Sequence, residues 1–173
     1  MRALLTLLVL TPGLALAFSF PKDTPYQVCF TPQHYCTGLI DDHIYAAKKS
    51  IYVQAYSFTS LNIAKALVRA AKRSVKVYVI LDESNFQKGH FSFAGYLAKN
   101  HIPIWNDNQL RIAHNKVMIF DGTTVETGSF NFTYNAQKHN AENVLIIQSK
   151  PLAQQYLQNW FTRQKHSVKI FET

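Results

Sequence analysis

The chain has 173 residues, 47% of them apolar, with only six Gly and six Pro. That suffices for one domain with a real core and excludes a disordered or low-complexity chain. A formal charge of +8, spread along the sequence, favours polyanionic partners and suits a nucleic acid or an anionic membrane surface equally well.

Arg2, the apolar run 3–10, a Thr11-Pro12-Gly13 break and Ala15-Leu16-Ala17 predict a cleavable signal peptide over residues 1–17, cut after Ala17. Pro12 interrupts the run, which is short for a membrane span of about 20 residues. The mature domain, residues 18–173, is therefore expected in the periplasm or outside the cell. Cys29 and Cys36 are the only cysteines, and in an oxidising compartment they are candidates for a short-loop disulfide. Two small buried residues would look the same. Their spacing is not that of a redox pair, and no Cys or His cluster suggests a zinc site.

A strand is expected over 27–30, then a helix capped by Thr37 with Leu39, Ile40, Ile44, Ala46 and Ala47 on one face. The β-branched and aromatic run 50–58 reads as a buried strand, followed by a helix over 61–73 capped by Ser60. A strand over 75–81, a short helix over 91–99 and a strand over 102–105 continue the alternation. Strands over 112–120, 124–127 and 143–148, a helix over 152–165 and a strand near 168–171 complete the chain. The early βαβαβ order predicts an α/β fold: one domain with a mixed, mainly parallel sheet flanked by helices on both faces.

The chemistry concentrates between residues 112 and 143. His114 and Lys116 are two apart on a predicted strand, so both side chains leave one face, with Val117 and Ile119 on the other. Asp121-Gly122 supplies a turn. Gly128 allows close backbone approach to a ligand, while Ser129 and Asn131 offer hydrogen-bond donors to phosphate oxygens. Glu142 can accept an N–H from a histidine and fix its tautomer. Taken singly, each residue has an ordinary structural explanation. Together they supply a nucleophile, donors for phosphate oxygens and a proton carrier, and no carboxylate pair or Cys/His cluster that would hold a metal.

The pattern His114-x-Lys116-x4-Asp121-x6-Gly128-Ser129-x-Asn131, with the stretch VQAYSFTS at 53–60, resembles the signature of the phospholipase D superfamily, and in particular its small single-motif bacterial endonucleases. The resemblance implies that His114 attacks phosphorus to form a phosphohistidine, that a second copy of the same histidine protonates the leaving oxygen, and that no cofactor is needed. It implies phosphate binding by Lys116 and Asn131 and positioning of the histidines by Ser129 and Glu142, with Asp121 and Gly128 structural. One chain supplies one motif, so a homodimer with a shared active site is expected. The expected substrate is nucleic acid, with Phe130, Phe132 and Tyr134 beside the site available to stack bases. Phospholipid is the alternative substrate, and an inactive binding module the third possibility.

Overall fold

The computed structural model describes residues 19–170, so the predicted signal peptide lies outside the described residues. Eight strands, β1 (Tyr26–Phe30), β2 (Ser50–Ala55), β3 (Lys76–Asp82), β4 (Ile104–Asp107), β5 (Lys116–Phe120), β6 (Thr124–Gly128), β7 (Asn143–Gln148) and β8 (Val168–Ile170), form one sheet in the order β1-β7-β6-β5-β2-β3-β4-β8. Five helices accompany them: α1 (Cys36–Ala46), α2 (Leu61–Lys72), α3 (Ala94–Ala98), α4 (Tyr134–Lys138) and α5 (Lys150–Lys165).

The sheet is mixed, as expected, but it is not mainly parallel. Only the β2·β3 and β3·β4 ladders are parallel; the other five are antiparallel. Crossover helices impose parallel pairing on β2, β3 and β4, whereas β5 and β6 are joined by a tight turn and β6 and β7 by residues 129–142, which carry α4 and return the chain antiparallel. The β5–β6 turn shows why. Asp121 and Gly122 both have positive φ (53° and 67°), and Thr123 N–H donates to Phe120 O at 3.0 Å, the geometry of a primed hairpin turn.

Alternation along the strands sorts their side chains between two cores. Ile51 and Val53 of β2, Val77 and Val79 of β3, and Met118 and Phe120 of β5 pack with α1, α2 and α3. Val117, Ile119, Val125 and Ile80 meet Ala153 and Trp160 of α5 on the other face. Trp160 is fully buried, and its indole N–H donates to Val53 O at 3.0 Å, which pins α5 across the middle of the sheet. Ser60 caps α2 as predicted, accepting from Ile63 N–H at 3.4 Å. Thr37 is not a cap: α1 begins at Cys36, and Thr37 N–H instead donates to the Gln137 side chain at 2.9 Å. Cys29 and Cys36 are joined by a disulfide that ties β1 to the start of α1.

Candidate active site

The strand expected over 112–120 begins only at Lys116, so His114 stands in the extended segment leading into β5. Its approach is set by Asp82, a buried carboxylate at the end of β3 that accepts Ala113 N–H at 2.7 Å and so withdraws that amide from the ladder. The other Asp82 oxygen accepts from Ser84 N–H at 2.9 Å. Asn85, in the 3₁₀ turn Glu83–Phe86, accepts from Phe58 N–H at 3.1 Å and donates to the carbonyls of Tyr56 (2.6 Å) and Asp82 (3.0 Å). One polar brace therefore binds the ends of β2 and β3 to the residue before His114.

His114 and Lys116 come together although the alternation that predicted it applies only to Lys116. The Lys116 ammonium lies 3.0 Å from His114 Nδ1 and donates to His114 O at 3.3 Å. The Tyr56 ring packs against the imidazole at 4.6 Å between centroids, and the ammonium stands 5.3 Å from the same ring centre. His114 itself is exposed, while Lys116 is buried. Burial lowers the Lys116 pKa below the ordinary lysine range, and the charge of Glu142 partly opposes this. Tyr56, Asp82 and Asn85 were not singled out from sequence. The available signal was their place at the carboxyl ends of two parallel strands, where open α/β sheets gather their sites.

Across β6, Ser129 donates to Glu142 Oε2 at 2.5 Å and Asn140 Nδ2 donates to Glu142 Oε1 at 2.9 Å. No hydrogen bond joins Glu142 to His114 of the same chain, so the carboxylate does not fix that imidazole as expected; both of its oxygens are turned towards Ser129 and Asn140. The Glu142 backbone is clasped by Thr31, whose N–H donates to Glu142 O at 3.0 Å and whose hydroxyl accepts Glu142 N–H at 3.1 Å. Asn131 Oδ1 is buried without a hydrogen-bond partner.

Gly128 serves backbone against backbone rather than backbone against ligand. A Cβ there would lie 2.2 Å from Asn143 O, the carbonyl that accepts Ser129 N–H at 3.1 Å. Asp121 accepts the N–H groups of Lys48 (2.9 Å), Lys49 (2.7 Å) and Ser50 (3.0 Å). Burial alone would raise its pKa, but these three donors prevail and hold it below the ordinary carboxylate range. Phe130 and Phe132 are fully buried in the core and cannot stack on a substrate; Tyr134 is exposed. Among the described residues no three His, Cys, Asp or Glu side chains gather as a metal site.

Residues 40–164 match the family model described as cardiolipin synthase, PLD-like domain. A protein of Rickettsia prowazekii named phospholipase D is 48% identical over 144 residues, covering 83% of this chain and 70% of its own length. The chain belongs to the phospholipase D superfamily. Within that superfamily it is similar to the crystal structure of Nuc, a phospholipase D family member from Salmonella typhimurium, with a TM-score of 0.82 and 38% identity over 87% of this chain and 100% of that one. A Xenopus laevis protein named mitochondrial cardiolipin hydrolase is 31% identical over 139 residues, 79% of this chain and 66% of its own. As a phospholipase D superfamily member the chain is a hydrolase of phosphodiester bonds.

Proposed function

We propose that this phosphodiesterase is an exported, metal-independent nuclease that cuts DNA or RNA through a phosphohistidine at His114. The observation that carries the reading is an exposed imidazole held 3.0 Å from a buried ammonium at the open end of the sheet, on a chain of net charge +8. A polynucleotide passes through such a site without having to enter it, and the positive charge concentrates it there.

In this mechanism His114 Nε2 attacks phosphorus. The new N–P bond forms as the P–O bond to the leaving group breaks, and the leaving oxygen takes a proton from a second imidazolium. Water then attacks the same phosphorus, gives its proton to that second imidazole and releases the phosphomonoester as the N–P bond breaks. Lys116 and Asn131 hold the phosphate oxygens, while Ser129, whose hydroxyl proton is given to Glu142, orients that carboxylate. While Lys116 donates to Nδ1, the neutral ring carries its proton on Nε2, so attack requires the ammonium to leave and the ring proton to pass through water from Nε2 to the vacated Nδ1. A phosphate oxygen arriving at Lys116 draws it away, and the nucleophile is armed by its own substrate. The second imidazole is the partner's His114 in a twofold dimer.

A second reading, phospholipid hydrolysis, is favoured by Leu110 and Ile112, which are exposed immediately before His114 where a bilayer would meet them. The deciding experiment incubates purified protein, in excess chelator, with plasmid DNA, RNA and phosphatidylcholine vesicles. Nuclease action gives nicked or shortened nucleic acid with phosphomonoester ends. Phosphatidic acid in the absence of any cut nucleic acid overturns it. Culture fractionation tests export, which requires activity outside the cytoplasm.

A further inference from the structure

The segment that carries Asn131 continues into one wall of an open cavity of ≈ 410 Å³, formed where Tyr35, the first turn of α2 (Leu61, Asn62), the loop before α3 (Phe91) and α4 (Tyr134, Lys138) converge. We propose that this groove is a nucleobase subsite: it seats an unpaired base beside the scissile phosphodiester and makes the enzyme select single-stranded over duplex nucleic acid. The proposal rests on the nuclease reading.

Three aromatic side chains at the groove are largely exposed, Phe91 at 68%, Tyr134 at 61% and Tyr35 at 57%. Free aromatic faces of this kind are where bases stack, whatever their sequence. The rings are positioned rather than loose. Phe91 meets Phe93 edge to face at 5.0 Å, Tyr134 meets His139 likewise at 5.8 Å, and Tyr35 Oη accepts from Asn62 Nδ2 at 3.1 Å. An edge contact orients a ring and leaves a face open.

The chemistry of the lining separates a base from an acyl chain. Thr59, Asn62, Thr133 and Lys138 place polar groups among the rings, and no acidic residue lines the cavity. A hydrocarbon would strip water from those groups without replacing their hydrogen bonds. A base offers a flat face to the aromatics and a polar edge to the rest, and Lys138 can meet the next phosphate.

Continuity with the catalytic residues comes through the backbone. Thr59 and Ser60 donate their N–H groups to Phe132 O at 2.9 and 2.8 Å, so the groove wall is tied to the residue following Asn131. Bases in a duplex are stacked on both faces and paired at the edge, so only an unpaired base enters without first leaving its helix.

The test compares kcat/KM of the full-length wild type and the Phe91→Ala/Tyr134→Ala double variant on three nucleic acid substrates, a single-stranded oligonucleotide, the same strand as a duplex and a strand with abasic sites in place of nucleosides, with phosphatidylcholine vesicles assayed alongside. Both side chains are exposed, and equal thermal melting establishes that the variant is folded. The expected result is a wild-type preference for the single strand over both other substrates. That preference should fall roughly tenfold in the variant, the scale of lost base stacking. Equal wild-type rates on all three substrates, or a preference the variant keeps, overturns the subsite while leaving the nuclease reading intact. Cleavage of phosphatidylcholine vesicles with no cutting of any oligonucleotide overturns both. Loss confined to vesicle hydrolysis in the variant would make the groove a lipid site and also overturns the proposal.

Discussion

At Lys116, the proposed phosphate ligand, one proton decides whether a cation is present, and two surroundings contest that proton. Burial lowers the lysine pKa and Glu142 raises it. Activity that needs the ammonium must therefore fail as pH rises through a value below the ordinary 10.5. Replacing Glu142 by Gln removes the opposing charge, so the pKa drops further and the alkaline limb of the kcat/KM profile moves to lower pH, whatever happens to the maximal rate. An unmoved or upward-shifted limb would show that Glu142 does not act on Lys116 through its charge. A different buried carboxyl sits at Glu126 in the middle of β6, fully enclosed, with the Met118 backbone amide opposing its burial only in part. Burial raises its pKa well above 4.5. The folded state then holds a proton that the unfolded chain gives up, so stability is greatest at pH below about 4.5 from this group and declines as pH rises towards its folded pKa. Glu126→Gln should flatten that decline and raise the melting temperature at neutral pH, which thermal scans from pH 5 to 9 would read directly.

The elements that build the site are held by polar groups rather than by the ladder alone. Asp82 anchors the approach to His114, so Asp82→Ala should lower kcat by about tenfold or more with little change in KM, since misplacing a reacting group by about 1 Å is that costly. Asp82→Asn keeps one acceptor and should recover part of the loss, an outcome that a general weakening of the core would not produce. Much of this level was legible in the sequence. β7 and the cap of α2 fall where expected, and the hairpin turn at Asp121-Gly122 follows from two residues that tolerate positive φ. The spacing from His114 to Asn131 pointed to one stretch of the chain, and the structure brings His114 beside Lys116 and Ser129 beside Glu142. The parallel bias was misjudged because an αβ rhythm over the first hundred residues says nothing of how the last four strands return. Phe130 and Phe132 were misplaced because alternation cannot tell an aromatic beside a site from one beneath it. The Asp82–Asn85 brace stayed hidden because its members lie far from the motif in sequence and meet it only through backbone amides.

For the whole molecule, the chain supplies one motif histidine while the proposed mechanism uses two. If wild-type and His114→Ala chains are mixed equally and allowed to exchange, only wild-type pairs retain both imidazoles, about one quarter of randomly paired dimers. Residual activity near one half would mean independent sites. Reduction of the Cys29–Cys36 bridge, which spans seven residues, should cost about 2 to 3 kcal/mol of stability, measured by denaturant unfolding with and without reductant. Equal midpoints would show that the bridge adds nothing.

The clasp on Glu142 has a bearing on when the enzyme comes into being. Thr31 lies 111 residues before the amide it holds, and β1 completes its ladder only against β7. A growing chain that has just released Asn131 already contains His114, Lys116 and every other residue of the motif, yet it lacks Glu142 and the strand that seats it. Contacts between such distant parts form late, because closing the intervening loop must precede any gain from it. A chain that stops short of residue 142 therefore has neither the Thr31 clasp nor the Ser129–Glu142 hydrogen bond, and that corner of the site is assembled only after residues 31 and 142 have met.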